Sequence, residues 1–309
     1  MTLGDQLRAA GLTPRALAAW AGTDRLAALP ARLPGLVLRE ITPSSAALAL
    51  FVAGAIVRRD RLRLPLGELG DLIEPDGAFV RARVAILPLG PSLMVCDRLE
   101  ATDATELVCW PDDSSHHLAS ALPAGRRARW LDLGCGSAFA PLARPELAAA
   151  IIGLDVNPRA VDFARLGAQL SGVAHLAIAA GDLATATGPA ELVTCNAPIP
   201  EAADRAVWRH ADDDFFARLW RTARATAADL VVIHATSRAL RALAELPGER
   251  VTVLYTGAGD PEGFGIAWWR PDAEACLVRA RRALSDDLPH LTSADRDAAI
   301  AGELEPLAS

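Results

Sequence analysis

The chain has no lysine. All 31 of its basic residues are arginine, in 309 residues that carry a net charge of −7. A Schiff-base lysine, a phosphate-loop lysine and a catalytic lysine amine are therefore excluded, and with them lysine-dependent aldolase, pyridoxal and Walker-type NTPase chemistry. Cysteine is sparse and unpatterned: Cys96, Cys109, Cys135, Cys195 and Cys276 are odd in number and show no CxxC or Cys/His pairing at metal spacing. They read as reduced thiols of a cytoplasmic protein, and no metal is expected. Long apolar runs are also missing. The longest uncharged apolar stretch, Ala46 to Val57, is too short to span a bilayer and reads as a buried helix. Asp5 and Arg8 precede any apolar run, so no signal peptide is expected and no membrane partner.

Positive charge is scarce where a nucleic acid would need it. Residues 1–100 hold 12 Arg against 10 acids (+2), while residues 101–309 hold 19 Arg against 28 acids (−9). An acidic second half lacks the clustered cations that track a phosphate backbone, so RNA is not a favoured partner. The one local basic run, Arg58, Arg59, Arg61 and Arg63, reads first as a solvated face. What is abundant is apolar surface, 51% of residues, enough for a large core or a catalytic domain with a smaller companion.

Two regions follow from the patterning. In residues 1–105, helices are expected over Gly4–Ala10 and Thr13–Ala21, the second with Thr13 as N-cap and Pro14 at the first helical position. A helix over the apolar run 46–57 and a short one over Leu66–Ile73 follow, then a turn at Glu74-Pro75-Asp76-Gly77. Val80, Ala82, Val84 and Ile86 alternate with Arg81, Arg83 and Ala85 as a half-buried strand would, and a second strand is expected over Leu93–Cys96. Helices followed by a hairpin suggest a small, mainly helical domain, either of winged-helix type and suited to substrate selection or a helical lid with no recognition role.

In residues 106–309 strand and helix alternate. Strands are expected at Arg129–Leu133, Ile151–Asp155, Ala174–Ala179, Glu191–Cys195, Leu230–His234, Val251–Tyr255 and Phe264–Trp269. Helices are expected at Phe139–Ala150, Pro158–Leu170, Asp214–Ala228 and Ser237–Glu245. Repeated βα units imply an α/β fold, a parallel sheet with helices on both faces, although the last two strands could pair antiparallel at one edge.

The central signal is Asp132-Leu133-Gly134-Cys135-Gly136-Ser137, a strand running into a glycine turn and then a helix. Glycines there let backbone approach a ligand, and the helix N-terminus offers unpaired N–H groups. Asp155 ends the next strand, 19 residues after Gly136, where an acid can accept both hydroxyls of a ribose. A dinucleotide dehydrogenase would carry a third glycine where Phe139 stands.

This run resembles the first motif of class I S-adenosylmethionine-dependent methyltransferases, with Ala138 in place of a third glycine, and the resemblance extends over about residues 110–270. It implies a Rossmann-like sheet and S-adenosyl-L-methionine as cofactor. Asp132, Gly134, Cys135 and Gly136 would hold the methionine part. Asp155, Val156 and Asn157 would hold the ribose, and Gly181, Asp182 and Leu183 the adenine. Glu191-Leu192-Val193-Thr194-Cys195-Asn196-Ala197-Pro198-Ile199 resembles the Asn-Pro-Pro-Tyr segment of the branch that methylates release-factor glutamines and exocyclic amines of RNA bases. There the Asn orients an NH2 group toward the methyl carbon. Asn196 and Pro198 are kept, Ala197 and Ile199 are not, and the lost aromatic weakens a base-stacking role.

The resemblance thus implies methyl transfer to a nitrogen of a protein or small metabolite, with Asn196 and Pro198 at the reacting end and Asn196 also against the cofactor. Two alternatives stand beside it. One is O-methylation of a small molecule with His210 or His234 as base; the other is a module that binds the cofactor without catalysis.

Overall fold

The computed structural model describes residues 1–23, 25–101, 106–198, 214–245, 251–255, 263–271 and 279–281. Its first region contains α1 (Leu3–Ala9), α2 (Pro14–Ala21), α3 (Leu33–Leu36), α4 (Ala46–Phe51), β1 (Val57–Arg58), α5 (Leu66–Leu69), β2 (Ile73–Asp76), β3 (Phe79–Ala82), β4 (Ala85–Leu89) and β5 (Ser92–Cys96). The second contains α6 (Asp113–Ala121), β6 (Arg127–Leu133), α7 (Phe139–Ala143), β7 (Ala148–Asp155), α8 (Pro158–Ser171), β8 (Leu176–Ala180), β9 (Ala190–Asn196), α9 (Phe215–Thr226), β10 (Ala227–Thr236), α10 (Ser237–Glu245), β11 (Val251–Tyr255), β12 (Phe264–Trp269) and β13 (Arg279–Arg281).

Packing divides the chain into two units that do not coincide with a single cut. Residues 1–112 form one unit together with 136–143 and 158–174, which carry α7 and α8; residues 113–135, 144–157 and 175–309 form the other.

In the first unit, Thr2 and Thr13 cap α1 and α2 through their hydroxyls, the local chemistry that starts both helices where the sequence places them. The apolar run 46–57 is not one helix. α4 spans six residues, all buried, and the chain leaves it at Gly54 (φ 67°), whose left-handed backbone a helix does not tolerate, so that Val57 starts β1. The expected strand Val80–Ile86 is two strands in two sheets. β3 sits between β1 and β2 in an antiparallel sheet, while β4 pairs only with β5. Alternation holds in β3, but every residue of β4 and β5 is buried, so no polar face marks where one sheet ends and the other begins. The expected turn at Glu74–Gly77 is shifted: Ile73–Asp76 is β2, and the reversal falls at Gly77 (φ 54°).

The hairpin β4–β5 is bound to α8. Ser171 Oγ accepts from the Leu93 amide at 2.9 Å and lies 3.2 Å from the Leu93 carbonyl. Arg159 at the start of α8 makes a two-toothed bond to Asp97, whose carboxylate also takes the Val108 amide. Asp97 is buried, so this cation is its counter-charge as well as its hydrogen-bond partner.

The second unit is an eight-stranded sheet in the order β13-β11-β12-β10-β9-β6-β7-β8. β6 to β10 and β11 run parallel, and β12 is inserted antiparallel between β10 and β11. The antiparallel pairing of the last two expected strands is thus realised one position inside the edge. α9 and α10 pack on the face carrying Leu131, Leu133, Val193, Cys195, Val231 and Ile233. Alternation turns Trp130, Asp132, Thr194 and His234 to the other face, where α6 lies. This is a Rossmann-like, mostly parallel sheet with helices on both faces. The helix expected over Phe139–Ala150 stops at Ala143, because Pro145 cannot continue it, and β7 begins at Ala148. Among the described residues no helix is long and apolar enough to cross a membrane.

Candidate functional site

Parallel strands bring the ends of their sequences to one edge of a sheet, and ligands bind outside those carboxyl ends where the chain order reverses. Here β6 is flanked by β7 on one side and β9 on the other, which makes its end the switch point. Reading outward from β8 along the edge, the residues delivered are Asp182 just beyond β8, Asp155 ending β7, Gly134 just after β6, Asn196 ending β9 and His234 near the end of β10.

At the centre, Gly134 (φ 62°) and Gly136 (φ 53°) take left-handed backbone, and a methyl group at either would meet open space. The glycines therefore serve conformation and leave room beside the backbone. Ala138 follows with φ 59°, so the substitution at the third position adds more than a methyl: it holds a side-chain-bearing residue in a conformation costing about 1–2 kcal/mol. Cys135 points the other way. Its sulfur packs over Gly153, where an added Cβ would lie 2.8 Å from Sγ, and its amide bonds the Leu154 carbonyl, so its contribution to the turn is packing. Burial pushes its thiol well above the usual range.

Asp132 is buried on the sheet and accepts from Thr194 Oγ1 at 2.5 Å, while Thr194 itself accepts from Trp130 Nε1 at 2.7 Å. Loss of water raises its pKa to about 7; the Thr194 bond opposes the shift and the Asp155 charge adds to it. Asp155 accepts the Asn157 amide through Oδ1 at 2.8 Å, a local turn that fixes the carboxylate, and Asn157 is buried. Between them Val156 is 49% exposed, one of few large apolar side chains left so. Gly181 donates its amide to the Asp155 carbonyl, which ties the end of β8 to that of β7. Asp182 caps the turn that follows, Oδ1 taking the amides of Ala184 and Thr185, and Leu183 packs against the core. The cap orients the Asp182 carboxylate through one oxygen.

On the other flank, Asn196 donates Nδ2 to Ser114 Oγ at 2.8 Å, and the next amide, Ala197, bonds the His234 carbonyl. Pro198 follows two residues after Asn196 and is half-buried. His234 lies opposite Asn196 in the β9–β10 register, but its ring is 1% exposed, stacked on Phe264 at 5.5 Å and 5.9 Å from the His117 ring. A general base must reach the proton it removes, and this ring is enclosed beneath α6. His210 and Ile199 lie outside the described residues.

Ser114 and Thr194 were not anticipated from the sequence. Thr194 is a hydroxyl in an otherwise apolar strand, at the register position facing Asp132, a signal visible only once β6 and β9 are known to pair. Ser114 sits in the first turn of α6, where serine is ordinary.

The chemistry of this edge fits a nucleoside-bearing, positively charged cofactor. It offers two carboxylates fixed by backbone amides, an exposed apolar side chain next to one of them, and an open glycine turn two residues after a third, buried carboxylate.

Residues 110–245 match the family model described as methyltransferase small domain. S-adenosylmethionine is the cofactor that this family match supports. No curated protein matches the chain. Among solved structures, a predicted O-methyltransferase of Agrobacterium tumefaciens is 17% identical, with a TM-score of 0.43 over 62% of this chain and 97% of that one. A cofactor-bound protein of MTB is 21% identical, with a TM-score of 0.41 over 57% and 88%. The YcgJ protein of Bacillus subtilis is 20% identical, with a TM-score of 0.31 over 40% of this chain, which spans half of that protein.

Proposed function

We propose that this methyltransferase uses S-adenosylmethionine to methylate a nitrogen, an amide or amine, of a protein or small metabolite. The observation that carries the reading is the order of groups along the sheet edge. Asp182, Asp155, the glycine turn and Asn196 arrive from four neighbouring strands, β8, β7, β6 and β9, at about 5 Å per strand. That is the order of adenine, ribose, methionine and methyl acceptor in a bound cofactor with its substrate.

When bound, the cofactor supplies a methyl group already activated on a sulfonium, which leaves with the C–S electron pair returning to sulfur. The chain's residues then have to hold and align. Asp155, with Val156 exposed beside it, would hold the ribose through its hydroxyls, and Asp182 would hold the adenine through its amino group. Asp132 offers a buried acceptor beside the methionine end. Asn196 accepts an N–H of the acceptor through its amide oxygen, turning the nitrogen lone pair toward the methyl carbon. The proton lost by nitrogen passes to solvent. Alignment of this kind is the main contribution a protein makes to a displacement on an activated carbon. The first 105 residues would select the acceptor.

The test is transfer from methyl-labelled S-adenosylmethionine into fractionated cell extract, with the labelled product identified by mass spectrometry. An N-methylated amide or amine is expected. An O-methyl ester or ether as sole product would overturn the nitrogen assignment, and failure to bind S-adenosylhomocysteine would overturn the cofactor assignment.

A further inference from the structure

Asn196 has one side-chain hydrogen bond among the described residues, and it is made by the amino end of its carboxamide. Nδ2 donates to Ser114 Oγ at 2.8 Å. A carboxamide has a donor end and an acceptor end of nearly equal shape, and its neighbours decide which faces outward. A site that must accept an N–H needs the oxygen outward. With Nδ2 committed to Ser114, Oδ1 is the end that remains, and no described group donates to it.

The geometry points to Ser114 as the positioning residue for Asn196, setting the amide oxygen toward the methyl acceptor; this rests on the reading of Asn196 given above. The bond is not an isolated surface contact. Ser114 and His117 are three residues apart on α6 and so share a face of the helix. Asn196 and His234 are register partners on β9 and β10 and so sit side by side at the sheet edge. The two pairs match: Ser114 meets Asn196, and His117 meets His234, which is also stacked on Phe264. A second tie, the Trp268 indole donating to the Ala121 carbonyl at 3.1 Å, holds the far end of α6 to β12. The helix is thus held at both ends against the face of the sheet, and Ser114 inherits its place from that docking. Ile199, not an aromatic residue, comes directly after Pro198.

The pair can be probed without knowing the acceptor. Sinefungin carries an amine-bearing carbon in place of the methylated sulfonium, so its amine stands where the transferred methyl does and its N–H groups point toward the acceptor side; S-adenosylhomocysteine has nothing there. The measurement is the ratio of the two affinities, by titration calorimetry on the full chain. Asn196→Ala is expected to reduce the preference for sinefungin at least tenfold. Ser114→Ala is expected to reduce it three- to tenfold while S-adenosylhomocysteine binds within twofold of wild type. Ser114→Thr, which keeps the hydroxyl, should restore the ratio to within twofold. A merely structural role for Ser114 would shift both ligands alike and leave the ratio unmoved, and that result overturns the inference while leaving Asn196 in place. An unchanged ratio in Asn196→Ala overturns the role of Asn196 itself, and the inference with it. Absence of S-adenosylhomocysteine binding to the wild type is separate, and removes the cofactor reading.

Discussion

Thr194 donates its hydroxyl to Asp132 Oδ1 at 2.5 Å, between residues that face each other across the β6–β9 pair. The same hydroxyl accepts from the Trp130 indole, so its single proton is committed to the carboxylate. All three side chains are buried, and the chain of bonds runs from the middle of the sheet to its ligand-facing edge. Thr194→Val keeps the shape and removes both bonds, leaving the Trp130 N–H and the Asp132 carboxyl without a partner in a site closed to water. A loss of about 2–4 kcal/mol is expected by urea unfolding. Thr194→Ser, which loses only a methyl, should cost about 1 kcal/mol.

The pKa of Asp132, raised to about 7, makes a signed prediction. Its unfolded value is about 3.9, so between pH 4 and 7 the folded state holds a proton that the unfolded state has released. The carboxyl therefore costs nothing below pH 4, its penalty grows as pH rises, and the full penalty is present above pH 7, on the order of 3–4 kcal/mol at most. In Asp132→Asn this dependence vanishes. The stability difference, variant minus wild type, should rise from pH 4 to pH 7 and then level off; a flat difference would mean that Asp132 is ionised throughout.

Asp155→Ala is expected to weaken S-adenosylhomocysteine binding by about 10- to 100-fold, the loss of charge-assisted bonds worth about 1.5–3 kcal/mol. Asp155→Asn keeps an oxygen for the Asn157 amide and so should retain the local turn. Thermal melting close to wild type, together with weakened binding in that variant, would separate ligand recognition from folding.

Gly4 lies inside α1, where alanine would ordinarily add about 1 kcal/mol. Here the sign reverses. A Cβ at Gly4 would collide with the Leu170 carbonyl oxygen, which Arg8 Nη1 bonds at 3.2 Å. Gly4→Ala should therefore destabilise by about 1–3 kcal/mol by forcing α1 off the end of α8. A stabilised variant in chemical denaturation would show that α1 is not docked there.

The features written in the sequence are those that short-range chemistry decides. Thr13 and Pro14 start α2, and α10, β11 and β12 fall at their expected positions. The turn from β6 through Gly134 and Gly136 carries its conformation in its glycines, and Asp155 and Asn196 mark strand ends. These are readable because a cap, a left-handed glycine or a strand terminus depends on a few consecutive residues.

Partners across space were not readable. The tertiary structure decided that β12 enters antiparallel between β10 and β11, that Val80–Ile86 divides between two sheets, and that α7 and α8 pack in one unit with residues 1–112. It also decided which hydroxyls serve the site. Thr194 and Ser114 act through groups 62 and 82 residues away, at distances set by strand register and by the docking of α6. A serine at a helix start and a threonine in a strand have good local reasons to be there. Their second use exists only once the sheet has chosen its neighbours.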